Sequence, residues 1–374
     1  MLMPSRSLRL TLLGLALVAC IGCQSPSSST SGSDESGESA APASNPQTVD
    51  PSRTVGSVDR VEPALDALVP PNAQIEVLAE GFDWGEGPVW VLEDGGYVLF
   101  TDVPQNTIYK WSAGEGLTPW LRPSGYTGAD PSAGEGANGL LLDRAGRLVL
   151  CQHGDRRMAR LDAPLSDPRP QFTTLAATYD GQRFNSPNDA VFHRSGALYF
   201  TDPPYGLPEG ADDPAREIDV SGVYRLDPDG AVSLVVDSLS RPNGIGLAPD
   251  EETLYVANSD PDRALWAAYD VQPDGSLANG RVFFDATEWT GDRPGLPDGL
   301  KVDPNGNIFA TGPGGVLVFA PDGTHLGTIN TTLPTANLAF GGSDGRTLFM
   351  TADSTLQRVP TRTTSLRYQR HTAE

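Results

Sequence analysis

The chain has 374 residues, a length that at about 150 residues per domain would suggest two or three domains. With 41 Gly and 33 Pro but only 20% charged and 7% aromatic residues, it is rich in turn formers and poor in the residues of long helices. A formal charge of −22, with Lys110 and Lys301 as the two lysines, excludes the basic footprint that nucleic acid or an anionic membrane surface requires. Three cysteines cannot build a disulfide framework, so a sizeable core must carry the fold.

At the N-terminus, Arg6 and Arg9 precede an apolar run from Leu10 to Ala19, too short for a bilayer span and right for the core of an export signal. The run closes as Leu17-Val18-Ala19-Cys20, which resembles a bacterial lipobox. Residues 1–19 therefore read as a signal peptide and Cys20 as the lipidated N-terminus, with Cys23 close enough to compete. Cys20-Ile21-Gly22-Cys23 also fits C-x-x-C, but a redox site needs a folded thioredoxin-like setting. From Gln24 to about Arg60 the chain is rich in Ser, Gly, Pro, Thr and acidic residues without apolar periodicity. Residues 20–60 are expected to form a disordered tether. An exported protein, lipid-anchored to a bacterial envelope membrane, follows from this segment.

Beyond residue 60 one pattern recurs: a turn, then alternating apolar residues ending in a polar pair. It appears as Asp94-Gly95-Gly96-Tyr97-Val98-Leu99-Phe100-Thr101-Asp102 and again near Leu148, Leu198, Leu254, Ile308 and Leu348. Each copy follows a shorter apolar segment led by a small polar signature: Glu86-Gly87, Asn138-Gly139, Asn188-Asp189, Asn243-Gly244, Asp298-Gly299 and Asn337-Leu338. The leading residues lie 52, 50, 55, 55 and 39 positions apart. Third and fourth strand-like runs follow, several joined by turns such as Pro228-Asp229-Gly230 and Pro273-Asp274-Gly275. Four short strands per unit of about 40 to 50 residues is the signature of a propeller blade. Residues 61–374 are accordingly expected to form one all-β domain, a six-bladed β-propeller with four-stranded antiparallel blades, closed by Ile75–Glu80 pairing with the last blade. Blades sharing a ring cannot bury their faces alone, which overrides the domain count from length.

Equivalent positions in successive blades fall on a circle, so Glu86, Asn138, Asn188, Asn243, Asp298 and Asn337 should converge on one mouth of the channel. A polar residue before Gly is ordinarily turn chemistry, but two carboxylates among the six, and Glu86 in Glu-Gly-Pro, do not fit it. Hard oxygen donors without thiol suit Ca²⁺, Mg²⁺ or Mn²⁺. Glu86 and Asp298 would bring two charges for one divalent cation.

In Glu86-Gly87-Pro88-Val89-Trp90, Asn185-Ser186-Pro187-Asn188-Asp189, Tyr199 to Gly206, Arg241-Pro242-Asn243-Gly244 and Pro297-Asp298-Gly299, the sequence resembles the gluconolactonase, regucalcin and senescence-marker group of six-bladed propellers, over roughly Ala73 to Arg362. The resemblance implies hydrolysis of a small-molecule lactone with one divalent metal ion, Ca²⁺ first, with Mg²⁺, Mn²⁺ or Zn²⁺ as others. It implies Glu86, Asn188, Asn243 and Asp298 at the metal, Asp298 also as catalytic base, and Asn188 beside both metal and substrate. Asn138, His153 and Arg156, by similarity to the bacterial gluconolactonase branch, are substrate-contact candidates. Animal members carry a basic residue near Ser186 and Pro187, absent here, so their sugar contacts do not transfer. The competing functions are a paraoxonase-like arylesterase or organophosphate hydrolase, which needs similar metal chemistry, and a non-catalytic ligand-binding propeller. A monomer with no nucleic-acid partner, touching membrane through its lipid anchor alone, is expected.

Three motif matches carry no chemistry. Gly134 to Gly139 fits G-x-G-x-x-G without the flanking strand and helix. Gly341 to Gly345 fits G-x-S-x-G in a repeated turn, not in a strand-to-helix elbow. Cys151 lies in an alternating apolar run and reads as a buried small hydrophobe.

Overall fold

The computed structural model describes residues 45–50 and 52–365; the expected signal peptide, Cys20, Cys23 and residues 24–44 of the expected tether lie outside them. Among the described residues six antiparallel sheets of four or more strands follow one another around a ring, and a two-stranded hairpin, Thr178–Tyr179 with Gln182–Arg183, stands apart from them. The first blade contains Gly85–Val91, Tyr97–Asp102, Thr107–Ser112 and Gly116–Leu121. The next four begin on inner strands Ala137–Leu142, Ala190–Phe192, Pro242–Leu247 and Leu300–Val302. The sixth runs Thr335–Gly341, Thr347–Ala352 and Thr355–Pro360, and takes Ile75–Glu80 as its outer strand, with Thr355 opposite Glu80 and Leu356 opposite Ala79. The ring is thus closed by chain from before the first blade, as its position suggested.

Strand period explains why the sequence reads as continuous apolar runs. In the second strand of the first blade, Tyr97 and Leu99 pack into the core shared with the second blade. Val98 and Phe100 point the other way, into the core shared with the sixth. Successive side chains alternate faces, and both faces of a blade are covered, so no polar face is left to mark the period. Among the described residues the buried apolar side chains fall into six clusters, one per blade interface. The Pro-Asp-Gly turns place Gly230 and Gly275 at φ of 92° and 81°, a region open to Gly at little cost.

The expected tether differs from the structure at its C-terminal end. Ser57–Arg60 adds a fifth strand to the fifth blade, with Gly327 opposite Arg60 and Asn330 opposite Ser57. Thr54–Val55 and Gln47–Thr48 both pair with Ile75–Glu80. Arg60 Nη1 donates to Asp66 Oδ1 at 2.6 Å and Arg60 Nη2 to the Pro70 carbonyl at 2.7 Å. Ordered structure therefore reaches back across the boundary expected at Arg60. The reason is that a sheet edge offers unpaired backbone groups to any extended segment. Such pairing needs little apolar periodicity, and here Val55 and Val58 alone of these strands pack on the core.

Candidate active site

The polar-Gly pairs lie at the head of the inner strands, and close approach between neighbouring blades explains the glycines. A Cβ on Gly87 would stand 2.1 Å from the Asn138 carbonyl oxygen, one on Gly139 2.6 Å from that of Asn188, and one on Gly244 2.1 Å from that of Asp298. On Gly299 it would meet the Asn337 side chain at 2.2 Å. Each Gly lets the leading residue of the next blade come up against its own. The threonines that end the second strands complete the join. Thr101 Oγ1 donates to the Asn138 carbonyl at 3.1 Å, Thr201 Oγ1 to that of Asn243 at 2.7 Å, and Thr311 Oγ1 to that of Ala336 at 3.0 Å.

This packing leaves a set of acceptors without donors. Asn138 Oδ1, Asn188 Oδ1, Asn243 Oδ1, Asp298 Oδ1 and Asp189 Oδ2 are buried and have no hydrogen-bond partner. An unsatisfied buried polar atom costs about 1–3 kcal/mol, and five of the thirteen such side-chain atoms among the described residues lie on the heads of the inner strands. Asn243 is held with its oxygen outward, because Nδ2 donates to Ser259 Oγ at 2.9 Å and Ser259 Oγ donates to the Pro297 carbonyl. Asn337 is different. Its Nδ2 donates to Glu86 Oε2 at 3.1 Å, while its Oδ1 accepts from Lys301 Nζ at 3.2 Å and from the Leu338 N–H at 2.9 Å. Of the six residues, Asn337 is spent on positioning Glu86, whose Oε2 also accepts the Gly87 N–H at 2.7 Å; Oε1 is the oxygen left available.

The carboxylates are held in an unusual state. Burial pushes Glu86 up to about 7, opposed by the Gly87 N–H and reinforced by Asp189. Burial, with Glu86 and Asp189 adding repulsion, raises Asp298 well above the usual carboxylate range. Asp189 is raised by burial too, with Lys301 the largest influence drawing it down and the Asn337 amide and Ile245 N–H also steadying its charge. A cation among these oxygens would remove both the repulsion and the unmet acceptors. The donor set fits a hard divalent ion: amide and carboxylate oxygens, no sulfur. Among the described residues there is no group of three or more His, Cys, Asp or Glu placed to hold a metal, which accords with a set that relies on Asn. A cavity of about 600 Å³ also runs along the channel, walled by Val89, Leu140, Val191, Ile245 and Phe340 and reaching Asp189 and Lys301.

The outlying candidates separate. His153 is buried in the turn after Leu148–Gln152, with Nδ1 3.2 Å from Glu135 Oε2 and Nε2 without a partner, and it packs against Gly206. Arg156 Nε donates to the Phe184 carbonyl at 2.6 Å and Nη1 to that of Ala215 at 2.8 Å. The charges acting on it are Arg183, Glu217, Asp202 and Asp213, none of the ring. These two carbonyls fix Arg156 between loops, while its Nη2 is buried without a hydrogen-bond partner, which leaves one guanidinium nitrogen unengaged.

Sequence reasoning assigned no role to Asp189, Lys301 or Tyr205. Asp189 occupies the place where four other blades carry Gly, which is the one signal that could have found it. Tyr205 belongs to the loop after Leu198–Asp202. As a residue Tyr205 is 36% exposed, but its hydroxyl lies at Ser259 and Asn243 and close enough to Asp298 to feel its charge, and desolvation of that hydroxyl raises the phenol. The turn bearing it is clamped by Ser186, whose Oγ donates to the Pro203 carbonyl at 2.5 Å and accepts the Gly206 N–H at 2.8 Å. Cys151 is buried and unpaired, as its pattern indicated, with burial raising its thiol.

The fold and site together define a six-bladed propeller carrying a hard-oxygen centre on the heads of its inner strands. Residues 84–354 match the family model described as SMP-30/gluconolactonase/LRE-like region, and the chain belongs to that family. It is 40% identical over 319 residues to a gluconolactonase of Zymomonas mobilis, covering 83% of this chain and 87% of that one. It is 27% identical to the pentonolactonase XacC of Haloferax volcanii, covering 71% and 80%. A solved gluconolactonase structure from Xanthomonas campestris superposes with a TM-score of 0.70 at 31% identity, covering 86% of this chain and 99% of that one.

Proposed function

We propose that the protein hydrolyses a lactone, with one divalent cation held by Glu86, Asn188, Asn243 and Asp298. The observation that carries this reading is the group of buried, unpartnered oxygens on the inner strands, and the gluconolactonase relatives support the substrate class. Ca²⁺ is the first expectation for an all-oxygen set with amide donors; Mg²⁺, Mn²⁺ and Zn²⁺ are the alternatives. No observation favours the arylesterase or the non-catalytic reading.

A bound dication would supply Lewis-acid polarisation of the lactone carbonyl. The protein's own groups then divide the work. Asp298 takes the proton of the attacking water on a carboxylate oxygen as the water oxygen bonds to the acyl carbon. The acyl–oxygen bond of the ring breaks, and the proton passes to the leaving alkoxide, giving a hydroxy acid. Tyr205, fixed by its clamped turn, offers a phenolic O–H to an oxygen that gains charge in this step. Asn138 Oδ1 and His153 Nε2, both without a protein partner, would orient hydroxyl groups of the substrate.

The test is hydrolysis of glucono-δ-lactone and a panel of other lactones with and without EDTA, together with metal content. Asp298→Ala and Glu86→Gln should each abolish both metal retention and activity. Chelator-insensitive activity overturns the metal reading; cation binding without activity on any lactone overturns the hydrolase reading. We also infer export and lipid anchoring at Cys20. Radiolabelled fatty acid should enter the wild type and not Cys20→Ala, and labelling that persists moves the site to Cys23 or abandons the anchor.

A further inference from the structure

Next to the oxygen set stands one of the chain's two lysines. Lys301 lies in the middle of the fifth blade's inner strand, half-buried, with Nζ donating to Asn337 Oδ1 at 3.2 Å and to its neighbour's carbonyl, Leu300 O, at 3.0 Å. Through Asn337 it is one hydrogen bond removed from Glu86. Its positive charge acts on Glu86, Asp189 and Asp298 alike.

The charges can be counted. With a cation bound and all three carboxylates ionised they give −3, the ammonium returns +1, and the protein's side of the centre carries −2, the charge one dication cancels. Two carboxylates, as read from the sequence, would have given the same total without Asp189 or Lys301. The structure reaches it with an added pair of opposite sign. Lysine suits the position because its ammonium is a compact point charge on a flexible stem, whereas guanidinium is a broad planar fork. Buried carboxylates without a counter-charge are strongly disfavoured, so the ammonium also keeps Asp189 tolerable when no metal is bound.

We propose that Lys301 is a built-in counter-cation that sets the charge of the ion this centre selects, holding it to a divalent ion. The inference rests on the reading that the centre binds a cation, and is independent of which lactone is cleaved. Removing the ammonium leaves −3, which favours a trivalent ion over a divalent one of similar size.

The experiment compares Ca²⁺ and Tb³⁺ binding to the chelator-stripped full chain, by calorimetry and by terbium luminescence with calcium competition. In Lys301→Met the preference for Tb³⁺ over Ca²⁺ should rise by roughly tenfold to a hundredfold over wild type, the effect of one unit charge several ångströms away in an effective dielectric of about 20. Lys301→Arg, which keeps the charge, should leave the preference within a few-fold of wild type. Lys301→Gln, which keeps a donor for Asn337, carries the same test should Lys301→Met fail to fold. An unchanged preference in the neutral variants, or an equal rise in Lys301→Arg, overturns the inference while leaving the metal reading intact. Failure of the wild type to bind either ion overturns the metal reading itself.

Discussion

Glu86 offers a measurement in which the metal-free site reports on itself. Its carboxyl is 1% exposed and is pushed from an ordinary 4.5 to about 7, chiefly by burial. The native state therefore holds this proton more tightly than the unfolded chain. The stability contributed by the group is fully present below about 4.5 and is lost as pH rises through about 7. The shift of about 2.5 units corresponds to about 3 kcal/mol, undiminished by solvent because the group is buried. Urea unfolding in EDTA should be followed for wild type and Glu86→Gln from pH 5 to pH 8. The variant keeps an acceptor for Gly87 and Asn337 but cannot ionise. Its stability relative to wild type should grow by about 3 kcal/mol across that range. Taking the difference cancels the buried Asp202, also raised to about 7, and His193 and His325, which burial lowers; Asp298, which the Glu86 charge helps to raise, titrates together with it. Saturating Ca²⁺ should abolish the wild-type loss, since the ion compensates the charge that burial penalises. A difference that stays flat or shrinks with pH refutes the argument that Glu86 is stored as a neutral acid.

Gly244→Ala puts a Cβ 2.1 Å from the Asp298 carbonyl, so it should cost about 1–3 kcal/mol and weaken calcium binding, read by denaturation and calorimetry; unchanged values mean the inner strands do not need this contact. Tyr205→Phe should lower kcat by about tenfold to a hundredfold through one lost hydrogen bond to a charged oxygen with metal content intact, whereas unaltered kcat removes the phenol from the reaction. A chain beginning at Val61 loses Ser57–Arg60 and should be less stable than one beginning at Gly56 by about 2–4 kcal/mol, at about 1 kcal/mol per strand hydrogen bond. Equal melting of the two would show that this strand contributes nothing to the fifth blade.

The architecture was legible because a propeller repeats. Each blade needs the same turn and the same two-faced apolar strand, so Tyr97–Asp102 announces its counterparts at Leu148, Leu198, Leu254, Ile308 and Leu348. The ring-closing strand Ile75–Glu80 was equally readable, as an apolar segment with no blade of its own. The strands between residues 47 and 60 were not, since their order comes from a neighbouring sheet edge and not from their own side chains. Arg156 was hidden for a related reason: the chain near His153 gives no sign of which guanidinium nitrogens the Phe184 and Ala215 carbonyls take, or that Nη2 is left without a partner.

By itself, the sequence determined the fold class, the blade count and the chemical type of the centre, because repeat spacing and residue identity are local properties that survive without coordinates. Which oxygens remain open was decided only in three dimensions. Asn337 and Asn243 look alike in the chain, yet one is spent between Glu86 and Lys301 and the other presents a free oxygen. The difference lies in neighbours 36 and 251 positions away from Asn337. Hydrogen-bond partners and charge balance across a channel belong to the assembled ring, and no single blade contains them.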